Sequence, residues 1–367
     1  MIATLAFFML QSVPIRISGD DLSDLTFLDA QIGTRRIAEL GEATHGGAEF
    51  YKLKLRIVRY LHERRGFNIL AIESGMLETG LAALRRAELT DREFMTTTVS
   101  GGMNWREMLP LFAYIKSRPQ LRVIGVDPQF SATEVLDYTH DLLKPYRPKL
   151  AAQVRQRLGE PYQFMAKTGD PTEFRTARDD YLRWLKALEG HVGALRWKPE
   201  HKAGFAVLTQ GLSGLRRYWD YEPTTPVIDR FALRDQIMAD HLLAQVGKEK
   251  VIVWAHNGHI GNGIGYRVMG DHVRAARDKD VFSLGIFARS GEWREHWSNQ
   301  TKPWDAAPDG LESRFPKRYD ASFLPTSVFT DAVSAYEPEN GGRISFVPKD
   351  RFDGLVVVDR LSPTNRP

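Results

Sequence analysis

Residues 40–47 read LGEATHGG, which places Glu42 and His45 three apart among small residues. Much later, AHNGH (255–259) adds His256 and His259 at a second three-residue spacing. A neutral imidazole can take a proton from water near pH 7, and a carboxylate can orient it and stabilise its charged form. The same side chains could also ligate zinc, manganese or iron. The spacing is not the H-E-x-x-H helix of zinc proteases. The chain has no G-x-S-x-G elbow and no cysteine, which argues against a serine nucleophile and rules out a thiolate one. On residue types alone, general-base and metal chemistry both stay open.

Such residues need elements to hold them. RRIAEL (35–40), NILAIE (68–73), LRVIGV (121–126) and KVIVWA (250–255) read as buried strands. VFSLGIFA (281–288) and FDGLVVVDR (352–360) read as two more. The first three alternate with helical patterns. One runs over 50–66, with Phe50, Leu53, Ile57, Val58 and Leu61 at helical period and a glycine stop. Another covers 105–117, with Pro110 as a kink or boundary. This alternation predicts an α/β fold with a mostly parallel sheet flanked by helices. Residues 131–247 show no strand pattern and read as a large helical insertion forming one wall or lid of the cleft. Residues 1–130 and 248–367 then form the two parts of the α/β core.

In open parallel sheets, ligands bind beyond the carboxyl ends of the strands. There the sequence places Glu42 and His45, Glu73, Asp127, and then His256, Asn257 and His259. Each alone has a structural use. Glu42 could complement a helix N-terminus, and Asp127 before Pro128 suits a turn. Four strand ends out of four argue for a site. GHIGNGIG (258–265) fails the G-x-G-x-x-G pattern and reads as a flexible loop near that site. Arg234 is either an exposed charge or a clamp on the site. The aromatics of the insertion, Tyr162, Phe164, Tyr181, Trp184, Trp197, Tyr218, Trp219 and Tyr221, divide between its core and a cleft wall.

Composition bounds the rest. The chain has 367 residues, 43% hydrophobic and 26% charged, with a net charge of only +4. That is globular composition without a basic tail, so nucleic-acid partners are not expected. MIATLAFFMLQSVP lacks the basic start of a signal peptide and reads as an opening amphipathic helix. No apolar run reaches the roughly 20 residues of a membrane span. A soluble, cytoplasmic protein with no membrane partner and no cofactor is expected; its oligomeric state is not legible.

LGEATHGGAEFYKLKLRIVRYLHERRGFNILAIESG resembles the first signature of the erythromycin esterase family, in which G-E-x-x-H is followed by E-F-x-x-L-K, G-F and an acidic strand end. The resemblance continues through IGVDPQ (124–129), LRDQIMADHLL (233–243) and VIVWAHNGHI (251–260). It covers most of the chain from about Val13 to about Phe287. It implies hydrolysis of a macrolide lactone without a serine-type nucleophile. It carries the general-base role to His45, and places Glu42, Glu73, His256, His259 and Lys54 in the same site. Asp127, Arg234, Asn257 and Trp105 are the substrate-binding candidates. Pro128 after Asp127 and the carboxylate of Glu39 depart from the family pattern. Two other readings stand beside this one: a metal-dependent hydrolase of another ester or a peptide, and a non-catalytic small-molecule-binding protein.

Overall fold

The computed structural model describes residues 12–99, 102–131, 133–163 and 169–367. The expected opening helix falls largely on residues 1–11, outside the described residues, and Val13–Ile15 form a strand instead.

The strands are β1 (Val13–Ile15), β2 (Ile37–Leu40), β3 (Ile69–Gly75), β4 (Arg122–Asp127), β5 (Val251–Trp254), β6 (Val281–Arg294), β7 (Thr301–Pro303), β8 (Ala321–Pro325), β9 (Val333–Glu337), β10 (Gly342–Phe346) and β11 (Gly354–Leu361). The chain divides into two compact units. The first comprises Met1–Glu73, Gly102–Arg122 and Leu242–Pro367; the second comprises Ser74–Gly101 and Val123–His241. The chain crosses from the first unit to the second within β3 and again within β4.

In the first unit the sheet runs β1-β8-β11-β6-β2-β5-β3, with β7 paired to β6. β3, β5, β2, β6 and β11 are parallel, while β8 and β1 pair antiparallel at one side. β2, β3 and β5 are buried along their whole length. That is why they read in sequence as unbroken apolar runs rather than alternating ones. The helix Ala48–Arg65 follows β2 and ends at Gly66 in the left-handed conformation, the predicted stop. Pro110 falls in the first turn of the helix Leu109–Lys116, where its missing N–H costs nothing, so it starts that helix rather than kinking it. β9 and β10 form a separate two-stranded hairpin.

The second unit is helical apart from its strand segments, with the helices Met76–Leu84, Glu134–Leu143, Pro148–Arg157, Pro171–Gly193 and Lys202–Trp219 packed around one apolar core. Tyr181 and Trp219 lie inside that core, and Trp184, Trp197, Tyr218 and Tyr221 pack against it partly buried. Phe164 and the side chain of Tyr162 fall outside what is described. The α/β fold expected from the strand–helix alternation is the fold observed. Among the described residues, no helix is long and apolar enough to cross a membrane.

Candidate active site

β2 ends at Leu40, and the residues after it lead into the helix Ala48–Arg65. The tight spacing of Glu42 and His45 brings Glu42 Oε1 to 3.1 Å from His45 Nδ1. The other oxygen, Oε2, accepts from Lys54 Nζ, two turns into the helix. Lys54 is fully buried, with its Nζ 4.3 Å from the centroid of the Trp254 ring. Burial pushes the Lys54 ammonium well below its ordinary value, and the Glu73 carboxylate opposes that shift. Lys54 therefore lies behind Glu42 as its partner and offers no surface to a substrate.

The loop after β5 supplies the other histidines. The His256 backbone N–H donates to Glu73 Oε2 at 2.8 Å, and the other Glu73 oxygen lies 3.0 Å from His259 Nε2. His256 Nδ1 accepts from the Gly258 N–H at 2.9 Å. That hydrogen bond assigns the ring proton to Nε2, a buried atom with no hydrogen-bond partner among the described residues. Burial pushes the His256 imidazole below its ordinary value, and the neighbouring His45 adds to the shift, so His256 is a neutral donor. Its ring meets that of His45 edge-on, with centroids 5.4 Å apart.

Two residues absent from the sequence reading complete the cluster. His296 follows β6, and its ring centroid is 6.0 Å from that of His45. Glu339 sits in the turn of the β9–β10 hairpin; it accepts from the His45 backbone N–H at 2.8 Å and lies 2.8 Å from His296 Nδ1. Burial disfavours its charged form, but His45, the His296 hydrogen bond and His256 hold its carboxyl down at about 2. No local motif marks either residue; the only sequence signal is EPEN (337–340), a pair of acids flanking a proline. The turn closes through Gly341 and Gly342, both at positive φ, where a side chain would strain the backbone. Arg351 braces the turn, pairing with Glu337 at 3.0 and 3.2 Å while donating to the Asn257 carbonyl at 3.1 Å.

The remaining candidates are engaged by other groups of the protein. Asn257 is fully buried, and its amide is spent on the Ile286 backbone, donating at 3.0 Å and accepting at 3.2 Å. Trp105 is also fully buried, with the Arg366 guanidinium 4.2 Å from its ring centroid. As the chain stands, neither offers a side chain to a ligand. Asp127 and Arg234 pair with each other in the second unit, with Arg234 Nε donating to Asp127 Oδ2 at 3.1 Å. Asp127 Oδ1 also accepts from the Gln129 N–H at 2.9 Å.

Glu39, which had no role in sequence, is fully buried and accepts from Ser283 Oγ at 2.6 Å and from the Gly261 N–H at 2.9 Å. Burial pushes its carboxyl above the usual range. With the Asn262 N–H donating to the Arg351 carbonyl at 2.9 Å, it ties Gly261 and Asn262 of GHIGNGIG to the rest of the fold.

The small residues of LGEATHGG admit protein, not ligand. A Cβ on Gly41 would lie 2.0 Å from Asn257 Oδ1, and one on Gly46 would lie 1.9 Å from the Arg294 carbonyl oxygen. Gly41→Ala is expected to destabilise the protein by about 1–3 kcal/mol through overpacking. It should also lower activity by moving the loop that bears His256. Thermal unfolding beside an activity assay measures both; an unchanged melting temperature would contradict the contact.

Among the described residues, no group of three or more His, Asp or Glu side chains is arranged to hold a metal ion. What the cluster offers is two histidines whose ring nitrogens are set by different partners, with acids behind them. The erythromycin esterase family pattern matches residues 62–361. YbfO of Bacillus subtilis (strain 168), which bears the name putative hydrolase, is 23% identical, over 96% of this chain and 89% of its own length. A Bacillus cereus protein of known structure superposes with a TM-score of 0.76 at 21% identity, covering 100% of this chain and 99% of that one. A histidine-to-asparagine variant of the erythromycin esterase EreC, in its open conformation, superposes at 0.65 and 16% identity, covering 94% of this chain and 95% of that one. These structures share the fold, and the family together with YbfO supports hydrolysis as the class of reaction. The chain belongs to the erythromycin esterase family.

Proposed function

We propose that this hydrolase opens a cyclic or large apolar ester, with a macrolide lactone as the first substrate class to test, and that His45 is the general base. The observation that carries this reading is the division of labour at Glu42. One oxygen faces His45 Nδ1 at 3.1 Å and the other is held by Lys54. A proton on Nδ1, directed at Glu42, leaves the Nε2 lone pair available to take a proton from water. The resulting hydroxide adds to the acyl carbon, and the His256 Nε2–H, on a ring 5.4 Å from that of His45, is the donor assigned to the developing oxyanion. The acyl C–O bond then breaks, and His45 returns its proton to the leaving alkoxide. Glu73 holds the His256 backbone and the His259 ring in place. Lys54 and Asn257 are positioning residues in this scheme, and the substrate is a small molecule.

Incubation with erythromycin and a panel of macrolides, followed by mass spectrometry, should give a product heavier by one molecule of water. Turnover should survive EDTA, because Lys54 already occupies the Glu42 oxygen that a metal would need. No product from any macrolide would remove that substrate class, and loss of activity in EDTA would remove the metal-independent scheme.

A further inference from the structure

We propose that Glu339 is the counter-ion for the imidazolium that forms in the histidine cluster, a positioning residue acting through His45, His256 and His296. Its function in turnover rests on the reading of His45 as the base; its electrostatic role does not.

The geometry is that of a carboxylate shared among three histidines, through two of their rings and the backbone N–H of the third. Glu339 Oε1 lies 2.8 Å from His296 Nδ1; Oε2 takes the His45 N–H at 2.8 Å and lies 3.8 Å from His256 Nε2. The His45 ring lies 5.4 Å from that of His256 and 6.0 Å from that of His296. The neighbouring acids are engaged otherwise. Glu42 is held by Lys54, Glu337 by Arg351, and Glu73 by the His259 ring and the His256 N–H. Among the described residues, Glu339 has no Lys or Arg partner, and its ion partners are histidines. The other titratable group facing His45 is Tyr51, whose hydroxyl donates to the His45 carbonyl at 2.8 Å. Burial pushes that hydroxyl well above its ordinary value, and Glu339 is the first of the charges that add to the shift.

A glutamine at 339 could accept the same hydrogen bond from the His45 backbone, so hydrogen bonding alone does not explain an acid here. A buried carboxylate without a permanent cation is costly. It fits a site where positive charge comes and goes. When His45 takes a proton from water, the cluster gains one positive charge beside Glu339. When that proton passes to the leaving alkoxide, the cluster returns to its starting charge. The hairpin turn that carries Glu339, braced by Arg351 on the Asn257 carbonyl, keeps this carboxylate in register with the histidine loop.

The test is an imidazole NMR titration of the full chain, wild type against Glu339→Gln, with resonances assigned through His45→Asn, His256→Asn and His296→Asn. Removing the charge is expected to lower the proton affinity of at least one of the three rings about tenfold, a shift of about one pH unit. Identical titrations of all three in a folded Glu339→Gln protein would overturn the proposal. Should that variant fail to fold, His296→Gln removes one claimant on the charge, and His45 or His256 should then bind its proton about threefold more tightly; unchanged affinities would overturn it equally. The titration uses no substrate, so it stands apart from the base assignment. If His45→Asn is inactive while the titrations do not move, only the role of Glu339 falls; if His45→Asn remains active, the base assignment falls whatever the titrations show.

Discussion

His45→Asn is expected to lower kcat by about 10²–10⁴ on whichever ester of the panel turns over, with the melting temperature nearly unchanged. The asparagine amide can still donate toward Glu42 Oε1, which now faces the ring at 3.1 Å. The backbone contacts of residue 45, to Glu339 and Tyr51, do not depend on the side chain. The substitution therefore removes the base while leaving its surroundings close to intact. That factor corresponds to about 3–5 kcal/mol of barrier, a size that a lost packing contact at a partly buried ring would not produce without lowering stability too. The expected signature is a fall in kcat with KM little changed, because water activation occurs after binding. Steady-state kinetics of the purified variant decide it. A variant retaining more than about a tenth of wild-type kcat would not fit a general base at this position.

Much of this site could be read from the chain, because its first half is local. The three-residue spacing of Glu42 and His45 fixes their contact, and Lys54 reaches Glu42 from the helix that β2 feeds. The parallel strands were legible for the same kind of reason: β2, β3 and β5 are buried throughout, so each stands out as a short apolar run. The opposite holds for β9 and β10, whose half-buried patterns carry little signal. β1 is three residues long and finds its partner at β8, more than 300 positions away, a pairing no local pattern announces. Glu339 and His296 were missed with that region, since they reach His45 only through tertiary packing. The glycines around His45 carry no legible reason in the sequence, because composition cannot say which atoms approach a bare Cα. Asn257 and the Arg294 backbone fill those places. Glu39 went unexplained because its partners, Ser283 and Gly261, are more than 200 residues distant.

The largest effect on stability is expected from Lys54→Met. Methionine fills a similar volume beside Trp254, so the cavity term is small. What the change removes is the cation on a carboxylate that is itself almost wholly buried. Breaking one side of a buried ion pair costs about 3–5 kcal/mol, because the remaining charge has neither water nor partner. For a chain of 367 residues, with an unfolding entropy of about 2 cal/mol/K per residue, that is a fall in melting temperature of about 4–7 °C. His45 Nδ1 cannot take over both oxygens of Glu42, since it already faces Oε1. The deficit should shrink in Lys54→Met combined with Glu42→Gln, where no unpaired buried charge is left. The pair should therefore be strongly non-additive, with a coupling of about 2 kcal/mol or more in a double-mutant cycle. Denaturant melts of the four proteins measure each part. A Lys54→Met protein less than about 1 kcal/mol below wild type at neutral pH would mean that Glu42 finds its counter-charge elsewhere, and that Lys54 is not what holds the carboxylate in its ionised form behind His45.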